Sequence, residues 1–187
     1  YGNYYWMKHK LPFVKARFQN VYGPREILGA GQWRGTPATV WRNVTPTFIW
    51  KALYEETLPL ENEGTASRDF IYVDDIVDGL TACALKGKEG DVYNLASGVE
   101  TTIKELAETI NDLTKNPQPI EYKEARSWDR SGKRFGSTEK AEKELDFVVQ
   151  VSLEEGLRRT IEWMQKNSSL IKRNILKHAN FLENFHA

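Results

Sequence analysis

The chain has 187 residues, 40% hydrophobic and 28% charged, and its 26 basic and 26 acidic side chains cancel to a net charge of zero. That length carries a real core for one domain or one and a half. The neutral balance argues against a general nucleic-acid or membrane-surface binder, so any anion site must be a local cluster. The one cysteine, Cys83, cannot form an intramolecular disulfide and reads as a core thiol of a reducing compartment. No apolar stretch approaches the ~18 residues of a membrane span, and no signal-peptide pattern is present. Cytoplasmic location is the expectation.

Residues 1–10 read as the end of a helix, with Tyr1, Tyr4, Tyr5 and Trp6 on one face and Lys8-His9-Lys10 in the last turn. No capping residue precedes them, which reads as a helix entered mid-way and a chain whose N-terminal half lies upstream. Phe13–Phe18 reads as a strand that stops at Gln19-Asn20, after which Tyr22-Gly23-Pro24 turns the chain. A strand ending in polar side chains is where α/β proteins place ligand chemistry. Residues 26–42 form a long loop with Gly29, Gly31, Gly35, Trp33 and Trp41, and a loop of that length usually has a function.

Thr45 is expected to cap a helix through about Glu56, with Pro46 at its first position. Leu58-Pro59-Leu60 is an extended piece and Asp69–Val73 a strand. Asp74-Asp75 caps a helix to about Lys86 with Ile76, Leu80 and Ala84 on one face. Strands at Asp91–Leu95 and Pro119–Tyr122 flank a helix over Thr102–Thr114. Residues 125–136 are polar and irregular. Ser137 and Ser152 start two more helices, the second through a capping box, and 168–187 shows weak helical spacing that leaves the tail helical or disordered. Strands alternating with helices predict an α/β fold with a partly parallel sheet.

Several blocks in this order resemble the extended short-chain dehydrogenase/reductase family, the NAD-dependent nucleotide-sugar epimerases and dehydratases. They are Arg17-Phe18-Gln19-Asn20-Val21-Tyr22-Gly23-Pro24, Thr45-Pro46-Thr47-Phe48-Ile49, Ser67-Arg68-Asp69-Phe70-Ile71-Tyr72-Val73-Asp74-Asp75-Ile76, Tyr93-Asn94-Leu95-Ala96-Ser97-Gly98, Arg126 to Asp129, and Leu153-Glu154-Glu155-Gly156-Leu157. The resemblance covers about residues 1–166 and implies the C-terminal portion of a Rossmann-like fold with its smaller substrate-binding α/β domain. Residues 1–25 would be the end of a Rossmann-domain helix and the following strand. Residues 26–166 would be the substrate-binding region with a returning strand and helices, and 167–187 a tail.

The resemblance also implies roles. Asn20 would contact the sugar or phosphate of a nucleotide-diphosphate sugar, although an Asn stabilising its own turn fits the residues equally well. Phe18 and Gln19 would border the nicotinamide of NAD. Arg68 would bind the diphosphate, which needs forked donors; the alternative is a surface pair with Asp69. Arg126 would be a second clamp and Asp129 would take a nucleoside hydroxyl, within a stretch made locally basic by Arg130, Lys133 and Arg134; Arg130 is the alternative if the register shifts. Phe48 would pack on the base or sugar at a helix start, or belong to the core.

Two patterns fail their context. Tyr4 and Lys8 have the spacing of the family's Tyr-x-x-x-Lys pair, in which the Tyr is the general base, but Lys8 lies too close to Leu11-Pro12. Gly29, Gly31 and Gly35 follow a Pro turn instead of a strand, so they are no dinucleotide loop. The resemblance therefore implies no catalytic residue and no metal site in this chain, an isolated chain without activity, and an enzyme that is a homodimer when whole. A non-enzymatic nucleotide-sugar-binding or regulatory protein on the same fold is the alternative.

Overall fold

Short apolar runs bounded by turns, each followed by a helix with one apolar face, build parallel strand pairs covered by helices. The computed structural model describes residues 1–124 and 132–183. In chain order the elements are α1 (Gly2–His9), β1 (Lys15–Phe18), β2 (Asn20–Tyr22), α2 (Val44–Leu53), β3 (Leu58–Glu61), β4 (Ser67–Arg68), β5 (Phe70–Tyr72), α3 (Val73–Lys86), β6 (Val92–Leu95), β7 (Thr101–Thr102), α4 (Ile103–Thr114), β8 (Ile120–Lys123), α5 (Glu139–Leu145), α6 (Leu153–Lys166), α7 (Ser168–Leu176) and α8 (Ala179–Glu183). They form two units. The first gathers Tyr1–Val21, Thr65–Ile103 and Ser127–Leu153; the second gathers Tyr22–Gly64, Lys104–Arg126 and Glu154–Ala187.

In the first unit β1 runs parallel to β6, with Lys15 opposite Val92 and Phe18 opposite Leu95. A parallel pair needs a crossover, and residues 19–91 supply it. β2 pairs with β5, and β4 pairs antiparallel with β7. Ile71, Ile76, Cys83, Tyr93, Leu95, Ala141, Leu145 and Phe147 form the core, with Val14, Ala16 and Val21 packed against it. Tyr93 is fully buried, and its hydroxyl donates to Glu144 at 2.9 Å. That bond, followed by Lys88, holds the Glu144 carboxyl below its usual range.

The buried face of α3 differs from the expectation. It carries Asp75, Ile76, Gly79 and Cys83, while Leu80 is 41% exposed. Two features turn the helix this way. A side chain at Gly79 would begin 2.9 Å from Leu95 Cδ1 and 3.0 Å from Phe147 Cε2, so glycine sets the closest approach. The Asp75 carboxylate, 2% exposed, accepts the backbone N–H groups of Gln150 (2.8 Å) and Val151 (3.2 Å). The strand expected over Asp69–Val73 is shorter, Phe70–Tyr72, because the helix already begins at Val73. Asp74 and Asp75 therefore lie within the first turn, where the helix dipole favours carboxylates, and do not precede it. The cap of α5 is Thr138, one residue past Ser137.

In the second unit β3 runs parallel to β8, Leu58 opposite Ile120. Leu58 and Leu60 are fully buried, and Pro59 and Glu61 alternate with them. The apolar stripes of α4 (Leu106, Ala107, Ile110) and α6 (Leu157, Ile161, Met164) are buried, as is Ile171 of α7. α2 is capped by Asn43 in place of Thr45 and ends at Leu53, short of Glu56. Pro46 thus falls inside the first turn, where its missing N–H costs nothing because those groups have no intrahelical acceptor. Among the described residues no helix is long and apolar enough to cross a membrane.

Gly79→Val should destabilise the protein by about 2–3 kcal/mol in a urea titration, because the added methyls overpack a filled core. An unchanged midpoint would mean that α3 does not depend on this close approach.

Candidate functional site

At the end of β1 the chain changes partner. Gln19 N–H still donates to Leu95 O of β6 (3.3 Å), but Asn20 N–H donates to Asp69 O (2.9 Å), beside β5. The side chains of Phe18 and Asn20 are exposed there, Phe18 at 47%, and Gln19 is half-buried. A side chain at Gly136 would begin 2.9 Å from Gln19 Nε2, so the 132–138 segment passes directly over this strand end.

Asp69 anchors the arrangement. It is fully buried, and its Oδ1 accepts Ser97 N–H (2.7 Å) and Ser97 O–H (2.8 Å) while Oδ2 accepts Gly98 N–H (2.9 Å). A buried carboxylate persists where charge-assisted donors replace its water. The alternative of an Arg68–Asp69 surface pair is therefore overturned. Arg68, half-buried on β4, instead donates through Nη1 to Ser67 O (2.6 Å) and Gly132 O (2.8 Å). Gly132 to Arg134 lies alongside: Arg134 N–H donates to Ser67 O (3.1 Å), and Lys133 bridges Ser67 and pairs with Glu100 (3.5 Å). So the first unit brings Phe18, Gln19, Asn20 and Arg68 to neighbouring strand ends, with basic residues beside them. Arg126, Asp129 and the alternative Arg130 lie outside the described residues.

In the second unit Phe48 is 4% exposed within α2, so its ring is part of the core. Beside it, Thr47 Oγ1 is a buried hydroxyl without a hydrogen-bond partner among the described residues. The capping residue Asn43 makes no side-chain bond to its own helix; its amide donates to Glu26 Oε1. Burial pushes the Glu26 carboxyl up, and the Asn43 bond offsets part of that.

Lys8 Nζ donates to Tyr4 OH at 2.7 Å. Residues four apart on a helix are neighbours in any case, and α1 has no buried residue, so the contact adds nothing to the spacing. The residues point to a structural role for Asp69, but sequence reasoning missed its partners Ser97 and Gly98, the Glu26–Asn43 pair and the orphaned Thr47 hydroxyl. Each depends on burial or on a partner distant in sequence, which no local pattern reports.

The NAD dependent epimerase/dehydratase family matches residues 1–96. The chain belongs to that family. Among curated relatives, dTDP-D-glucose 4,6-dehydratase of Mus musculus is 29% identical over 170 residues, covering 87% of this chain and 44% of the relative. UDP-glucuronic acid decarboxylase 3 of Arabidopsis thaliana is 34% identical over 154 residues, covering 82% and 41%. Among solved structures, the Bordetella bronchiseptica enzyme WbmF in complex with NAD+ and UDP superposes with a TM-score of 0.89 at 56% identity, covering 98% of this chain and 54% of that one. The chain thus spans about half the length of the proteins it matches. The Rossmann-like α/β fold expected from the resemblance is the one these family members share.

Asp69→Asn should cost about 2–3 kcal/mol in urea unfolding, because an amide offers a donor where the site presents only donors. A change under about 0.5 kcal/mol, the size of an ordinary surface substitution, would show that the carboxylate is not the anchor.

Proposed function

We propose that the chain is the nucleotide-sugar-clamping, C-terminal part of an NAD-dependent epimerase or dehydratase. One observation carries the reading: the Asn20–Asp69 backbone bond puts the exposed Asn20 beside the residue that follows Arg68, so a neutral hydrogen-bonding side chain starts one strand where a guanidinium-bearing residue ends another. That pair suits a sugar joined to a diphosphate. The family match, and a UDP complex of a protein 56% identical to this chain, support it.

In this reading Arg68 and Arg126 hold the diphosphate, Asp129 takes a nucleoside hydroxyl and Asn20 fixes the sugar or its phosphate. Phe48 would serve the base or sugar only by leaving its buried position. Phe18 and Gln19 border the nicotinamide: Phe18 presents an exposed ring at the strand end, which fits an edge of the cofactor and not a phosphate cradle. NAD, when bound, accepts hydride from the sugar C4. The residues of this chain orient the sugar for that transfer and neutralise the diphosphate. The general base and the dinucleotide glycine loop belong to the rest of the protein, which we place in the cytoplasm as a homodimer with no nucleic-acid or membrane partner.

The test is calorimetric titration of the whole protein with UDP- and dTDP-sugars. Arg68→Lys, which replaces a fork with a point charge, should weaken binding about tenfold to a hundredfold. Equal affinities would remove Arg68 from the site. The isolated 187-residue chain should turn over no nucleotide sugar, and product formation by it would overturn our placement of the catalytic base elsewhere.

A further inference from the structure

We propose that α7 and α8 act as a strap that sets the conformation of the Gly-rich loop over residues 27–33, with His178 as its positioning residue. The observations lie within the second unit. Gly29 is buried with φ +67°, and a side chain there would begin 2.7 Å from Asn174 O and 3.3 Å from Ile175 Cα. The loop backbone therefore rests directly on the backbone of α7. His178, 4% exposed, places Nε2 3.0 Å from Gly29 O. A carbonyl has no proton to give, so Nε2 carries the hydrogen and donates it. One residue earlier Lys177 Nζ donates to Ala30 O at 3.1 Å. Beyond the glycine the Trp33 ring stacks on Phe181, with centroids 5.0 Å apart and planes 12° from parallel, and lies 5.9 Å from the His178 ring.

A loop with two glycines in seven residues has many accessible conformations, and fixing them costs entropy. Here two consecutive carbonyls, one positive-φ glycine and one tryptophan are each held by the last two helices or by the turn between them. The strap thus converts a permissive segment into a fixed one, beginning seven residues after Asn20.

Amide hydrogen exchange of the full chain tests this without any ligand, so its failure and that of the nucleotide-sugar reading are separate results. In His178→Ala and Phe181→Ala, exchange over residues 28–35 should rise about tenfold while the β1 and β6 amides stay protected. His178→Gln, whose amide can place a donor where Nε2 lies, should restore most of the protection. Loop exchange within twofold of the parent in both alanine variants would overturn the strap. So would an equal rise across the molecule, or a glutamine variant no better than alanine, since either would reduce His178 to ordinary packing.

Discussion

A single buried carboxylate holds the strand ends of the first unit together. Asp69 has no exposed surface, yet three donors from Ser97 and Gly98 converge on its two oxygens, and its own carbonyl takes the Asn20 N–H. Only an acceptor-rich group can meet three donors at once; an amide would turn a donor toward one of them. Removing one partner of such a cluster leaves the others unsatisfied at full desolvation cost, so the arrangement is strongly determined. Through it, the segment after β6, the start of β5 and the chain leaving β1 are fixed to one residue. Arg68 inherits its position from that residue by adjacency.

This explains why the polar side chains collect where they do. β1 is held by β6, with which it shares four register pairs from Lys15 to Phe18. At Asn20 the backbone passes to a different partner. Between the two, Gln19 and Asn20 sit at a break in the ladder, where side chains are not sandwiched by neighbours on both sides. A strand end of this kind is rigid in backbone and open in side chain, the combination that a binding residue needs. Gly136, close above Gln19, sets how near the following segment comes.

The sequence was most readable where information is local. The strands at β1, β3, β6 and β8 and the helices α4 and α6 follow from period and capping, and the family blocks identified the fold that the solved relatives share. Small errors have local causes as well: Asn43 displaced Thr45 as a cap because both residue types cap and nothing nearby ranks them. What stayed hidden was non-local. The rotation of α3 toward Gly79 depends on Leu95 and Phe147, which lie 16 and 68 positions further along. Leu80 fits the apolar period as well as Gly79 does, and only tertiary packing separates them. For Phe48 the residues left ligand packing and the core both open, and burial of the Thr47 hydroxyl beside it was invisible, since a residue pattern does not say which side of a mostly apolar helix meets other atoms.

The glycines of residues 29–35 show how one residue type carries unrelated meanings. Their spacing imitates a phosphate-binding loop, but they follow a Pro turn and not a strand. The structure supplies the physical reason for the first of them. Gly29 is glycine because its φ is positive and because the Asn174 carbonyl fills the place of a side chain. Gly31 has nothing within 4 Å of that position, so it answers no packing demand. A glycine reports that the backbone needs room or an unusual angle. Whether the room is taken by a phosphate or by another helix depends on what the rest of the chain brings there, and at Gly29 it brings α7.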